Sequence, residues 1–138
     1  MAGVIHIDLE AYLIGYLSTT LTARSESYTA SVKVSNRVPT ELSGDPWPTS
    51  KRLVVIRDDG GAALGDVRAL ARLGIRVWGA DEGETVDLAN LVSALIGDAE
   101  GNGVIRRSEA ARPFNVTETS GRPCHYFTAE LVIRGSGL

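Results

Sequence analysis

The segment Arg68-Ala69-Leu70-Ala71-Arg72-Leu73-Gly74-Ile75-Arg76-Val77-Trp78 decides the fold class. Ala69, Ala71, Leu73, Ile75 and Val77 recur at every second position, while Arg68, Arg72, Arg76 and Trp78 fall in the other set. Successive side chains of a strand point to opposite faces, so this period builds one apolar face and one basic face. Wound as a helix, the same residues would scatter the arginines around the cylinder. The segment therefore reads as a long β-strand.

Working outward, Leu53 to Ile56 is apolar at every position, the pattern of a strand covered on both sides. It ends in Asp58-Asp59-Gly60-Gly61, residues that favour a tight turn, so the two segments are expected to form an antiparallel hairpin. Ala30, Val32 and Val34 alternate with Ser31, Lys33 and Ser35 as a half-buried strand. One further strand is expected from Val104 to Arg107, continuing through Phe114 to Val116. Another runs from Cys124 to Arg134, where His125, Phe127, Ala129, Leu131 and Ile133 share a face.

Two segments change period from two to 3.6. Leu9, Tyr12, Leu13, Tyr16 and Leu17 form an apolar stripe, predicting a helix over Leu9 to Leu21 with Asp8 as its N-cap. Leu88, Leu91, Val92, Leu95, Ile96 and Ala99 form a second over Glu82 to Ala99. Asp81 and Glu84 are spaced as a capping box at its start, and Gly101-Asn102-Gly103 stops it. Residues 38–51 are proline-rich and read as a loop. The expected fold is α+β: a twisted, mostly antiparallel sheet of four to five strands, with two helices packed on one face of a single domain over residues 1–138.

Composition narrows the function. The chain has 138 residues, 43% hydrophobic and 22% charged, enough for an ordinary core without staples. Its 14 Lys plus Arg against 17 Asp plus Glu give a net charge of -3, which argues against a protein that wraps nucleic acid. The single cysteine, Cys124, rules out a bridge within the chain. The opening MAGVIHIDLEAYLIGYL lacks a basic leader and is broken by Asp8 and Glu10, so neither a signal peptide nor a membrane span is expected, and the cytosol is the predicted compartment.

Few constellations point to chemistry. Asp98, Glu100, Asn102, Gly103 and Glu109 approach the spacing of a calcium loop, but position 3 is Glu, Pro113 would interrupt the exiting helix, and no second loop pairs with it. A helix end followed by a hairpin is the favoured reading. The Asp58-Asp59 pair could meet a divalent ion but suits a turn better. Cys124 and His125 are adjacent, hence on opposite faces of a strand, and even with His6 nearby no third group would orient a nucleophile. Asn115-Val116-Thr117 is a glycosylation triplet without a secretory context. No phosphate-cradling glycine motif occurs, so neither an enzyme nor a cofactor site is expected.

Two features point to contact with other proteins. The basic face of the Arg68 to Trp78 strand is either an ordinary wet sheet face or a subunit interface, where Arg and Trp are enriched. Asp45-Pro46-Trp47-Pro48 holds a tryptophan in an extended segment, either to anchor a partner or to fold back on its own domain, the latter being the commoner fate.

The order helix, strand, Pro-Trp-Pro loop, Arg52-Leu-Val-Val-Ile-Arg-Asp-Asp-Gly-Gly61, strand ending Arg76-Val-Trp78, Asp87-Leu-Ala-Asn-Leu-Val92 on a helix, and a final hairpin resembles the tail terminator proteins of long-tailed (siphovirus) bacteriophages. It covers nearly the whole chain, through a pattern of elements and not an invariant catalytic set. The resemblance implies a virion protein assembled in the host cytoplasm that forms a ring, usually a hexamer, at the head-proximal end of the tail tube. The major tail tube protein and the head-tail connector would be its partners, and DNA would pass through the lumen without specific binding. A ring needs two different complementary faces on each subunit. Arg57, Arg76 and Trp78 are the expected interface residues, Asp58 and Asp59 with Asp81, Glu82 and Glu84 the expected opposite charges, and Trp47 a docking anchor. The competing reading is a small ligand- or calcium-binding regulatory module using Asp98, Glu100, Asn102 and Glu109.

Overall fold

The computed structural model describes residues 4–39, 44, 46–64 and 67–137. Along the chain these form β1 (Val4–Ile5), α1 (Leu9–Thr22), a single 3-10 turn (Ser27–Thr29), β2 (Lys33–Ser35), β3 (Leu53–Asp58) and β4 (Arg68–Trp78). They continue with α2 (Glu82–Gly97), β5 (Ile105–Ala110), β6 (Phe114–Val116), β7 (Cys124–Arg134) and β8 (Ser136–Gly137). The main sheet runs β2-β3-β4-β7-β5, with β6 also pairing β7. Among the described residues only the β2 to β3 pair is parallel. β1 and β8 pair separately as a short antiparallel ribbon.

The expected α+β architecture is present, with six strands where four to five were predicted. The expected strand from Val104 through Val116 is divided into β5 and β6 by Ala111-Arg112-Pro113, since proline cannot continue a ladder. Both pieces lie along the same edge of β7, β5 against Ala129 to Ile133 and β6 against Cys124 to Tyr126.

The β4 to β7 ladder is the spine of the sheet. All eleven residues of β4 pair with all eleven of β7, from Arg68 opposite Arg134 to Trp78 opposite Cys124. This register puts Ala69, Ala71, Leu73, Ile75 and Val77 beside Ile133, Leu131, Ala129, Phe127 and His125 on the helix-covered face. Leu9, Leu13, Leu17 and Leu21 of α1 and Leu88, Ala89, Val92 and Ile96 of α2 close that core. Spacing of three and four places each set on one helix face, and full burial of such a side chain contributes about 1.5–3 kcal/mol. Tyr16 ties the helices together through a 2.8 Å bond from its hydroxyl to the Leu95 carbonyl.

Helix starts follow the sequence closely. The Asp8 carboxylate accepts from the Ala11 amide at 3.1 Å, and that of Asp81 from the Glu84 amide at 2.8 Å. The return half of the expected capping box is shifted: Glu84 accepts from the Ala80 amide at 2.6 Å and pairs with Arg52 at 2.7 Å.

The Asp58-Asp59-Gly60-Gly61 turn is corrected. After β3 the chain stays in register with β4 as far as Leu64, through Leu70 donating to the Ala62 carbonyl and Leu64 donating to that of Arg68. Asp59 and Gly60 together stand opposite Arg72, which makes the motif a β-bulge, and Gly60 takes the positive φ of +85° that the bulge uses. Glycine's freedom serves a kink in an extended strand here, and pairing with β4 continues to Leu64. Gly61 is required sterically, because a Cβ there would sit 1.9 Å from the Leu70 carbonyl oxygen.

Two glycine substitutions test this packing. Gly61→Ala should lower the unfolding free energy by about 2 kcal/mol or more. Gly15→Ala, on the exposed side of α1 with nothing within 4 Å of the new methyl group, should raise it by about 0.5–1 kcal/mol. Urea unfolding of both variants beside the parent chain checks the pair.

Candidate functional site

The helices cover one face of the sheet and leave most of the other open. Cross-strand neighbours share a face, so the register defines this surface residue by residue. Arg57 of β3 lies opposite Gly74, and Arg68, Arg72 and Arg76 of β4 lie opposite Arg134, Glu130 and Tyr126 of β7. Arg107 and Glu109 of β5 complete it beside Val132 and Glu130. Six arginines thus share the face with two strand carboxylates and with Asp59, whose Oδ2 lies 3.2 Å from where a Gly74 Cβ would stand.

Pairing within this surface is incomplete. Arg72 reaches Glu130 at 3.3 Å, Arg107 meets Glu109, and the Arg76 guanidinium lies 5.3 Å from the centre of the Tyr126 ring. Such exposed pairs contribute about 0–1 kcal/mol each. Arg57, Arg68 and Arg134 have no ion-pair partner among the described residues. Arg68 and Arg134 also face each other directly across the ladder, an arrangement that costs stability. Phe114, 54% exposed, packs edge-on against Tyr126 with ring centres 5.8 Å apart. Arg76, Tyr126 and Phe114 therefore form a pre-stacked aromatic and cationic patch on an otherwise charged surface.

Of the predicted interface residues, Arg57 and Arg76 are on this open face. Asp58 is exposed at the end of β3, on the helix side by its register with Leu73; its amide donates to Glu10 at 2.7 Å and its carboxylate accepts from Gly60 at 2.8 Å. Asp59 shares the arginine-bearing face, so it does not supply a separate surface of opposite sign. Glu84 is held by Arg52, whose guanidinium keeps the carboxyl below its ordinary range.

Trp78 requires a correction, because it is fully buried and a partner cannot reach it. With Leu53, Val55 and Cys124 it forms a second small core on the outer side of the sheet, capped by Val38, Trp47 and Val116. Trp47 meets Trp78 edge-on at 5.5 Å between ring centres, and Arg122 stacks on Trp47 at 4.3 Å. The loop tryptophan has folded back on its own domain. Asp45 beside it, and residues 40–43 of the same loop, lie outside the described residues.

The alternative calcium residues do not converge. Asp98 caps the C-terminus of α2, Glu100 accepts from the Ser108 amide at 3.1 Å, and Asn102 accepts from the amides of Val104 and Ile105. Glu109 lies across the sheet beside Arg107. Among the described residues no three His, Cys, Asp or Glu side chains gather as a metal site. Cys124 is enclosed in the second core while His125 pairs on the helix side, and burial pushes the thiol up to about 11.

Sequence reasoning missed Tyr126, Glu130 and Arg134, although they occupy the alternate positions of the strand whose apolar set was recognised. Phe114 carried no comparable signal, since its strand has only three residues.

No family model matches the chain, and no curated protein matches its sequence. Among solved structures, the fold is similar to a chain described as "Virion of native gene transfer agent (GTA) particle". The TM-score is 0.57 at 16% identity, with 90% of this chain and 99% of that chain covered. That likeness is one of fold. Among the described residues no helix is long and apolar enough to cross a membrane.

The Cys124 environment predicts a pH dependence. An unfolded thiol ionises near pH 8.5, whereas the folded one holds its proton until about 11. Between these values the unfolded state has lost a proton that the folded state keeps, so stability falls as pH rises through the window. The urea midpoint should therefore drop more between pH 8 and 10.5 in the parent chain than in Cys124→Ala. Parallel slopes would contradict this assignment.

Proposed function

We propose that the protein is a structural component of a phage-like virion, and that its role is that of a tail terminator. In that role it forms a ring, a hexamer in the resembling family, on the head-proximal end of the tail tube, stops tube growth and presents a surface to the head connector. The observation that carries this reading is the fold correspondence with a virion chain over 99% of that chain's length. The order of elements supports it too, since the resemblance to tail terminators spans the Pro-Trp-Pro loop, the Asp-Asp-Gly-Gly segment and the final hairpin.

The side-chain chemistry agrees with assembly in place of catalysis. The open sheet face is a ladder of arginines around an aromatic patch, the composition of protein interfaces. Unpaired arginines held on a rigid sheet are poised for carboxylates of another protein, and they need no bond made or broken. DNA passing the lumen would meet a chain of net negative charge, which disfavours sticking.

Deletion of the gene from the genome that encodes the particle tests the reading. Electron microscopy should show tails of irregular, excessive length separated from filled heads, and supplying the protein in trans should restore joined tails of uniform length. Joined tails of normal length in the deletion strain would overturn the role.

A further inference from the structure

The two helices contain no lysine or arginine. Along α2 the exposed positions Gly83, Asp87, Asn90 and Ala94 lead to Asp98, one stripe of short, uncharged or acidic side chains about four turns long. Asp87 and Asp98 have no ion-pair partner among the described residues. Val86, 39% exposed, adds an apolar contact beside them. The opposite side of the molecule is the arginine-bearing sheet face with Phe114 at its aromatic patch. One subunit therefore carries an acidic helix stripe and a net basic sheet face on opposite sides of its sheet.

We propose that copies of this chain join head to tail, with the exposed α2 stripe of one subunit against the open sheet face of the next. The proposal rests on the ring reading above and names the contact that would build the ring. Charge selects the pairing. Two sheet faces placed together would oppose arginines with arginines, and two α2 faces would oppose aspartates with aspartates, so a self-complementary dimer is disfavoured in either form. Helix on sheet brings unpaired Asp87 and Asp98 to unpaired Arg57, Arg68 and Arg134. Such a contact uses a different surface on each side, which is what a closed ring requires.

The intervening layer keeps both charges available. They are separated by at least a helix diameter, about 10 Å, whereas physiological salt screens beyond about 8 Å. Within one subunit the two faces are too distant to neutralise each other. The Arg68 to Arg134 juxtaposition, unfavourable in the free subunit, would be relieved by a neighbour's carboxylates. The short side chains of the α2 stripe let its backbone approach the sheet closely.

Two charge reversals test the contact in the full chain. Asp87→Arg with Asp98→Arg makes the helix face basic, and the arginine at position 98 also suits the helix C-terminus. Arg68→Glu with Arg134→Glu makes that end of the sheet face acidic while keeping one like-charge pair there. Sedimentation velocity should show the parent chain forming a closed oligomer at high concentration and dissociating in about 1 M salt. Each variant alone should remain monomeric, with circular dichroism and melting like the parent. An equimolar mixture should restore the oligomer, because only unlike variants then present opposite charges at every contact.

Assembly of either variant alone to the parent's extent would overturn the helix-to-sheet contact while leaving the ring reading standing. A mixture that stays monomeric would do the same. A parent chain monomeric up to about 1 mM would overturn the contact as a self-association, with the virion role still decided separately by the deletion strain.

Discussion

The pairing of β4 with β7 is the constraint on which the rest of the molecule depends. A slip of one residue between these strands would carry every side chain of one of them to the opposite face. Leu73, Ile75 and Val77 would then meet water, and Arg72 and Arg76 would be driven into the apolar core beneath α2, at the high cost of burying unpaired charge. With eleven pairs in register, burial of one face and solvation of the other are settled together. The apolar core and the charged face are two consequences of one ladder.

The other elements complete this division. α1 and α2 cover the apolar face with leucine, valine and isoleucine at helical spacing, and turn outward a surface without a single basic side chain. On the opposite side, Trp47 closes a small second core over Trp78 and Cys124, so one end of that face is dry and the remainder is open. The bulge at Asp59 and Gly60 lets β3 continue past the main core, bringing Asp59 to the outer side beside Arg57 and Gly74. The mild net charge of the chain thus conceals a separation of charge across the sheet, and that separation is the physical basis of the assembly role proposed above.

Much of the fold was legible because it depends on periodicity. The alternation in β4 and β7, the leucine spacing of α1 and the Asp8 and Asp81 caps are local properties that survive folding unchanged. Two misreadings arose where local preference and tertiary context differ. Asp-Asp-Gly-Gly carries the residues of a turn, yet the positive φ of Gly60 serves a bulge because β4 is long enough to keep pairing. Trp78 has the parity of the arginines, yet it lies at the end of the strand reached by the proline-rich loop, and no period announces which loop folds over which strand end. The charged open face was partly visible through Arg57 and Arg76. Arg107, Arg134 and Phe114 join it only through pairings between segments distant in sequence.

Hydroxyl-radical footprinting of the aromatic patch, read by mass spectrometry in free subunits and in assembled particles, tests most directly whether the open sheet face is an assembly surface. Phe114 and Tyr126 should be readily oxidised in the free subunit and strongly protected after assembly, while buried Trp78 stays protected in both. Equal oxidation of Phe114 and Tyr126 in the two states would contradict the account.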